Sequence, residues 1–340
     1  MIDYSVLEKF DPHGMHKIYD RWPDIAKESY NSNLAQVDFK NITHVVFAGM
    51  GGSGSVHDIF SAILSKTNTH VSIVKGYHLP NTVDSGSLVV VTSVSGNTSE
   101  SLTVLESAAK AGCRVIAFSG GGKMEKYCYD HKIEHRSIPV FHSPRASFTS
   151  FLFSMLKVLE PVIPLKRDDV FESINNLKEI QKIISSENLN MKNPSLELAQ
   201  WLSGIPIIYY PLGLQAAAVR FKNCLQENAK THAMVEDVIE ACHNGVVAWH
   251  NKSDVRPIFI RGQDDYVKTI ERWEIIKEYF DHKRIEYKEI FSIRGGILTK
   301  LINLIYVLDY STIYLAVKCG VDPTPVEAIY FIKQRTKNCL

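Results

Sequence analysis

The chain has 340 residues, 45% of them hydrophobic and 22% charged, which suits a globular protein with enough length for two cores. A formal net charge of +1 exerts little long-range pull on a polyanion, so no nucleic-acid partner is expected. No run of about 20 apolar residues occurs and the start, MIDYSVLEKFDP, lacks an apolar leader, so neither a membrane span nor secretion is expected. The six cysteines (Cys113, Cys128, Cys224, Cys242, Cys319 and Cys339) form no CxxC pair and read as reduced thiols of a cytoplasmic protein.

In chain order, residues 13–32 read as a leading helix with a break near Pro23, and Trp22 and Tyr30 pack on the first half or on a partner subunit. Strand 43–48, helix 54–65, strands 70–74 and 88–93, helix 98–111 and strand 113–118 follow. This βα alternation predicts a parallel sheet covered on both faces. Gly120-Gly121-Gly122 reads as a simple turn. A strand at 134–138 precedes a long apolar helix, 146–159, that links the halves. The stretch 163–169, with Pro164, marks a boundary between a first domain, 1–160, and a second, 161–340.

The second half opens with helices between 171 and 203. Strand 205–210, a helix from about 214, strand 256–261, a helix from about 266, strand 285–291 and an apolar helix at 296–319 follow. The amphipathic run MVEDVIEACH, ending at His243, falls between the first two strands. A final helix at 325–337 carries Pro325 in its first turn, where proline is tolerated. The halves echo each other: residues 44–60 align with 207–223, and 88–105 align loosely with 257–273. In the second copy the glycine- and serine-rich loops are gone. Two similar α/β domains follow, each a parallel sheet flanked by helices, and only the first keeps loops suited to an anion.

Two loops carry that chemistry. Residues 88–102, LVVVTSVSGNTSESL, read as a buried strand, a hydroxyl-rich loop and a helix N-terminus. Unpaired N–H groups at that terminus, with Ser93, Ser95 and Thr98 around it, suit the oxygens of a phosphate. The bland alternative is an ordinary βα turn. Residues 43–56, THVVFAGMGGSGSV, place Gly49 to Gly54 after a strand in a G-x-G-x-x-G pattern. A dinucleotide site would have an acidic residue at the end of the next strand; Lys75 stands there, which argues against a nicotinamide cofactor and leaves the anion reading.

GMGGSG and Ser93-Val94-Ser95-Gly96-Asn97-Thr98 together resemble the sugar isomerase (SIS) domain. The resemblance implies a phosphosugar ligand, held through its phosphate by Gly52, Ser53, Ser93, Ser95 and Thr98. Four further stretches resemble the bifunctional phosphoglucose/phosphomannose isomerases, built from two SIS domains. They are Ser143-Pro144-Arg145, the segment 221–230 (FKNCLQENAK), the segment 240–245 (EACHNG) followed by Trp249, and the segment 320–326 (GVDPTPV) leading to Lys333.

By itself, Glu227 is a carboxylate near a helix end, ordinarily solvated. The resemblance makes it the base that moves a proton between C1 and C2 through a cis-enediol. His243, before Asn-Gly, is by default a helix cap; the resemblance makes it the ring-opening group, donated by the neighbouring subunit of a homodimer. Arg145, otherwise a surface charge at a helix start, is placed over the enediolate oxygens. Lys333, otherwise one more exposed lysine, assists ring opening, with Lys300, Lys318 and Lys337 as competitors.

The family's tyrosine is Val94 here, expected on the core side of the loop with little effect on phosphate. Thr324, in a Thr-Pro turn near the implied site, is expected to leave room for the C2–C3 rotation that a mannose epimer needs. No histidine or cysteine cluster has metal-ligand spacing, so neither metal nor cofactor is expected. The implied activity interconverts glucose 6-phosphate, and mannose 6-phosphate, with fructose 6-phosphate. A non-catalytic phosphosugar-binding SIS regulator and another phosphosugar isomerase remain the alternatives.

Overall fold

The computed structural model describes residues 2–336. Three short helices open the chain: α1 (Tyr4–Phe10), α2 (Met15–Asp20) and α3 (Trp22–Tyr30). The single leading helix expected from sequence is therefore two, and Pro23 sits in the first turn of α3, where its missing N–H costs nothing. The unexpected α1 is capped by Asp3, whose carboxylate accepts from Val6 N at 2.9 Å.

The first sheet comes from β1 (His44–Ala48), α4 (Gly51–Leu64), β2 (His70–Val74), β3 (Ser87–Ser93), α5 (Ser99–Lys110), β4 (Arg114–Ser119), α6 (Gly122–His131) and β5 (Glu134–Ser137). It is all parallel in the order β2-β1-β3-β4-β5. β1 and β3 are buried along their whole length, as central strands of a doubly covered sheet must be. One expectation fails here: the three glycines at 120–122 are no simple turn, because α6 begins at Gly122.

α7 (Phe148–Val158), α8 (Arg167–Ile184) and α9 (Pro194–Trp201) lead to the second half. There β6 (Ile205–Tyr210), α10 (Gln215–Glu227), β7 (Met234–Asp237), α11 (Val238–Ala241), β8 (Val255–Arg261), α12 (Val267–Lys283) and β9 (Lys288–Phe291) form a parallel sheet in the order β7-β6-β8-β9. That order is the first sheet's without its fifth strand, so the faint sequence repeat is a repeat of topology. The run MVEDVIEACH is a four-residue edge strand followed by one helical turn, not one amphipathic helix. α13 (Ile297–Lys318) and α14 (Glu327–Thr336) close the chain; the expected end of the last helix at Lys337 lies outside the described residues.

Side chains alternate across both sheets, and the alternation sorts the cores. Val45, Phe47, Leu88 and Val90 of the first sheet, and Ile208, Tyr210, Ile258 and Ile260 of the second, face one large core. Residues of α3, α4, α7, α8, α10 and α13 fill it. Val46, Ala48, Val89 and Val91 face a smaller core under α5 and α6. Tyr209 and Phe259 face a third, under α12. The molecule is thus five layers: helices, sheet, shared helices, sheet, helices. Among the described residues α13 alone is long and apolar enough to cross a membrane, and 94% of its apolar 18-residue window is buried inside the protein.

Candidate active site

In the first sheet the chain order reverses between β1 and β3, and the crevice beyond the carboxyl ends of such strands is where open α/β sheets bind ligands. Both anion-suited loops open there. After β1, α4 starts at Gly51 with no side-chain cap on its first turn, leaving amides for an anion. After β3, the Ser93 and Thr98 hydroxyls lie 2.9 Å apart. Thr98 occupies the N-cap position of α5 but caps no amide with its side chain. The two loops are joined: Ser53 Oγ accepts from Val94 N at 3.3 Å. Ser53 and Ser93 are buried, while Ser95 is exposed and accepts from Asn97 N at 3.3 Å. Val94 is buried in the large core, on the side expected for it.

A third loop, unrecognised in the sequence, braces the second. Gly96 has φ +65°, and a Cβ there would lie 1.7 Å from the carbonyl oxygen of Gly121. Only glycine fits so close to a neighbouring backbone in that conformation. Met124 N donates to Gly96 O at 2.9 Å and Lys123 N donates to Asn97 Oδ1 at 3.1 Å. The start of α6 therefore fixes the hydroxyl loop, which is the work of the three glycines.

The first loop also abuts the segment that carries Arg145. A Cβ on Gly52 would sit 3.2 Å from Pro144 O and 3.6 Å from Arg145 N. Arg145 is buried, not the surface charge its local sequence suggests. Its Nε donates to Asn228 Oδ1 at 2.6 Å, and Nη1 to Glu227 Oε2 at 3.2 Å. Nη2 donates to Pro323 O at 2.6 Å and Thr324 O at 2.9 Å. Asn228 is held in turn by Nδ2 donating to Thr312 Oγ1 at 2.8 Å.

Behind Arg145 lies a fully buried pair. Arg220 donates to Asp309 Oδ2 from Nε at 2.9 Å and from Nη2 at 2.6 Å, and Nη2 also donates to Arg145 O at 2.9 Å. Burial pushes the Asp309 carboxyl upward against the pull of Arg220. The guanidinium also covers the Phe148 ring at 3.7 Å.

Glu227 is the last residue of α10, with its side chain 28% exposed. It borders a cleft of about 840 Å³, lined from the first loop by Gly51, from α10 by Asn223 and Gln226, by Lys230, and by residues between Val321 and Ile329. That volume is within the usual range for small-molecule sites. Thr324 lies beside it, with Oγ1 3.4 Å from His142 Nε2. A second cleft of about 820 Å³ lies at the amino ends of β6 and β8, and none of the expected site residues lines it. Among the described residues no group of three or more His, Cys, Asp or Glu side chains is placed to hold a metal ion.

The fold therefore brings Gly52, Arg145 and Glu227 together, next to the joined loops of Ser53, Ser93, Ser95 and Thr98. It does not bring His243 or Lys333 into the cleft of the same chain. His243 is exposed just after α11, its N–H donating to Glu240 O at 2.9 Å. Lys333 is exposed on α14, whose first turn lines the cleft through Glu327, Ala328 and Ile329 but which buries no residue. Sequence reasoning missed Asn228 and the carbonyls of Pro323 and Thr324, although both segments stand out as motifs.

Residues 191–336 match the family model described as the bacterial phospho-glucose isomerase C-terminal SIS domain. A bifunctional phosphoglucose/phosphomannose isomerase of Caldicellulosiruptor bescii is 31% identical over 332 residues, spanning 92% of this chain and 96% of that protein. One from Aquifex aeolicus is 29% identical over 341 residues, spanning 98% of each. In structure, the C-terminal domain of glucosamine-fructose-6-phosphate aminotransferase from Francisella tularensis superposes with a TM-score of 0.68 at 14% identity, covering 91% of this chain and 96% of that one. The twin parallel sheets, the joined hydroxyl and glycine loops and this whole-length similarity make the chain a member of the bifunctional phosphoglucose/phosphomannose isomerase family.

Proposed function

We propose that this chain interconverts glucose 6-phosphate and mannose 6-phosphate with fructose 6-phosphate through a cis-enediol. The observation that carries the reading is the buried Arg145 guanidinium reaching Glu227 Oε2 at the edge of the cleft that the glycine loop also lines. In this reading Gly52, Ser53, Ser93, Ser95 and Thr98 hold the phosphate, and that remote binding energy orients C1 and C2. Glu227 removes the proton from one carbon and returns it to the other. Arg145 Nη1 faces the enediolate oxygens, a fixed positive charge where negative charge develops. Thr324 leaves room for the mannose epimer.

Ring opening falls to His243 of a partner subunit, with Lys333 assisting. The exposure of His243, and of Ile239 and Val247 beside it, supports an interface there. The apolar surface of α14, with Tyr330 at 60%, Phe331 at 56% and Ile332 at 62% exposure, supports a homodimer as well. The free thiols at Cys113, Cys128, Cys224, Cys242 and Cys319 fit a cytoplasmic location. The repeated strand order supports a division into two SIS-type halves near residue 160.

The test is conversion of fructose 6-phosphate in a chelating buffer, with glucose 6-phosphate and mannose 6-phosphate quantified separately. Both products are expected. Glucose 6-phosphate alone reduces the reading to a single isomerase, and binding of a phosphosugar without turnover overturns it in favour of a regulator.

A further inference from the structure

Lys230 lines the cleft beside Glu227 but has no role in the chemistry assigned so far, and its geometry is unusual. It follows the end of α10 with φ +57°, a left-handed conformation that non-glycine residues rarely adopt unless their surroundings enforce it. That turn folds the side chain back over the helix end. Nζ donates to Glu227 O at 2.6 Å, one of the carbonyls that a helix C-terminus leaves unpaired. It also donates to Pro323 O at 3.3 Å, 93 residues further on. Neither partner is a carboxylate. Burial, and the Arg145 guanidinium beside it, hold the ammonium below the ordinary lysine value.

The carbonyl of Pro323 is also the acceptor for Arg145 Nη2 at 2.6 Å. Two cations from different parts of the chain therefore grip one carbonyl of the segment that leads into α14. The other donors of Arg145 are committed as well, Nε to Asn228 and Nη2 again to Thr324 O. Only Nη1 is turned toward Glu227. Where that nitrogen sits depends on where the Pro323–Thr324 turn sits, and Lys230 ties this turn to the helix end that carries Glu227.

We infer that Lys230 is a positioning residue: it clamps the Pro323–Thr324 turn to the end of α10, and so sets the relative placement of Arg145, Glu227 and the helix bearing Lys333. The kinetic part of this inference rests on the isomerase reading above; the structural part does not. Lys230 lines the same cleft as Gly51, but both hydrogen bonds of its ammonium go to the carbonyls of Glu227 and Pro323, so its loss should disturb the chemical step more than the anchoring of phosphate by the loop hydroxyls.

The experiment compares wild type, Lys230→Met and Lys230→Arg by steady-state kinetics on fructose 6-phosphate and by amide hydrogen exchange. Lys230→Met should lower kcat about tenfold or more with KM changed by less than about threefold. Exchange across residues 324–333 should quicken about tenfold. Lys230→Arg, which keeps a cation on a long stem, should restore most of both. Normal exchange in Lys230→Met overturns the clamp. Faster exchange with unchanged kcat overturns the positioning role, and so does a fall in kcat with normal exchange, which would make Lys230 act on the substrate directly. If wild type itself turns over no hexose phosphate, the isomerase reading fails, and the exchange comparison alone decides whether Lys230 holds the segment.

Discussion

Glu227→Gln separates chemistry from architecture, because the structure sets the two consequences far apart. Of the four hydrogen bonds made by the Arg145 guanidinium, one reaches Glu227 and three reach Asn228, Pro323 and Thr324. Glutamine keeps the volume and still offers a carbonyl oxygen to Nη1. The structural cost is then the difference between a charge-assisted and a neutral hydrogen bond, about 1 kcal/mol. Partial exposure of the Glu227 side chain, 28%, screens even that. An amide cannot take the C1 or C2 proton, and losing a general base costs about 10²–10⁴-fold, or roughly 3–5 kcal/mol of barrier. The assay is fructose 6-phosphate turnover, with urea unfolding of the same preparation. A kcat within about threefold of wild type refutes Glu227 as the base. A stability loss above about 3 kcal/mol would show instead that the pair is a structural strut.

Three further outcomes follow from particular contacts. Gly96→Ala places a Cβ against Gly121 O in a left-handed backbone; fructose 6-phosphate KM should rise at least about tenfold, with about 2–4 kcal/mol lost from stability, and a normal KM would unseat this loop as the phosphate site. His57 is fully buried beside Thr92 and burial pulls its imidazole down to about 3 from an ordinary 6.5. The folded state then resists a proton that the unfolded chain accepts, so its stabilising effect is complete above pH 6.5 and lost toward pH 3. Between about pH 6.5 and 4, wild type should lose about 3 kcal/mol more than His57→Gln in urea titrations; equal slopes would contradict this. Arg220→Met or Asp309→Leu alone leaves a buried charge and should cost about 3–5 kcal/mol, whereas the double substitution should recover about 1–4. Additive losses in urea unfolding would show that the two groups do not act as a pair.

What the sequence disclosed was local. β1 and β3 are continuous β-branched and apolar runs, and the loops after them carry their glycines and hydroxyls in plain view. The repeat was legible because strand–turn–helix order survives even where loop chemistry does not. β7 was hidden because a four-residue edge strand with Met234 exposed and its other side chains only partly buried shows no clean alternation. α6 was hidden because its first residue is glycine, a poor helix former with a more useful property here, the absence of a Cβ facing Ser95 and Asn97. Arg145 and Glu227 are 82 residues apart, and no local rule predicts their meeting; family resemblance brought them forward as separate roles. The brace of Gly121 on Gly96 and the carbonyls that hold Arg145 are backbone contacts, which side-chain patterns do not encode. The positions of His243 and Lys333, both exposed and neither lining the cleft, are set by how the segments after β7 and α13 pack, which no local pattern encodes.

The shared helical layer has a consequence for how the protein can be dismantled. The inner faces of both sheets rest on the same helices, with α13 running through that layer almost fully buried. Cutting the chain near residue 160 would strip α8, α10 and α13 from the first sheet and leave Val45, Phe47, Leu88 and Val90 facing water. The second sheet would lose α3, α4 and α7 in the same cut. Two halves that repeat each other in strand order are thus not detachable modules. A core shared in this way should make them melt as one body, so a ligand that tightens the crevice at one end is expected to raise the unfolding midpoint of the far sheet along with its own.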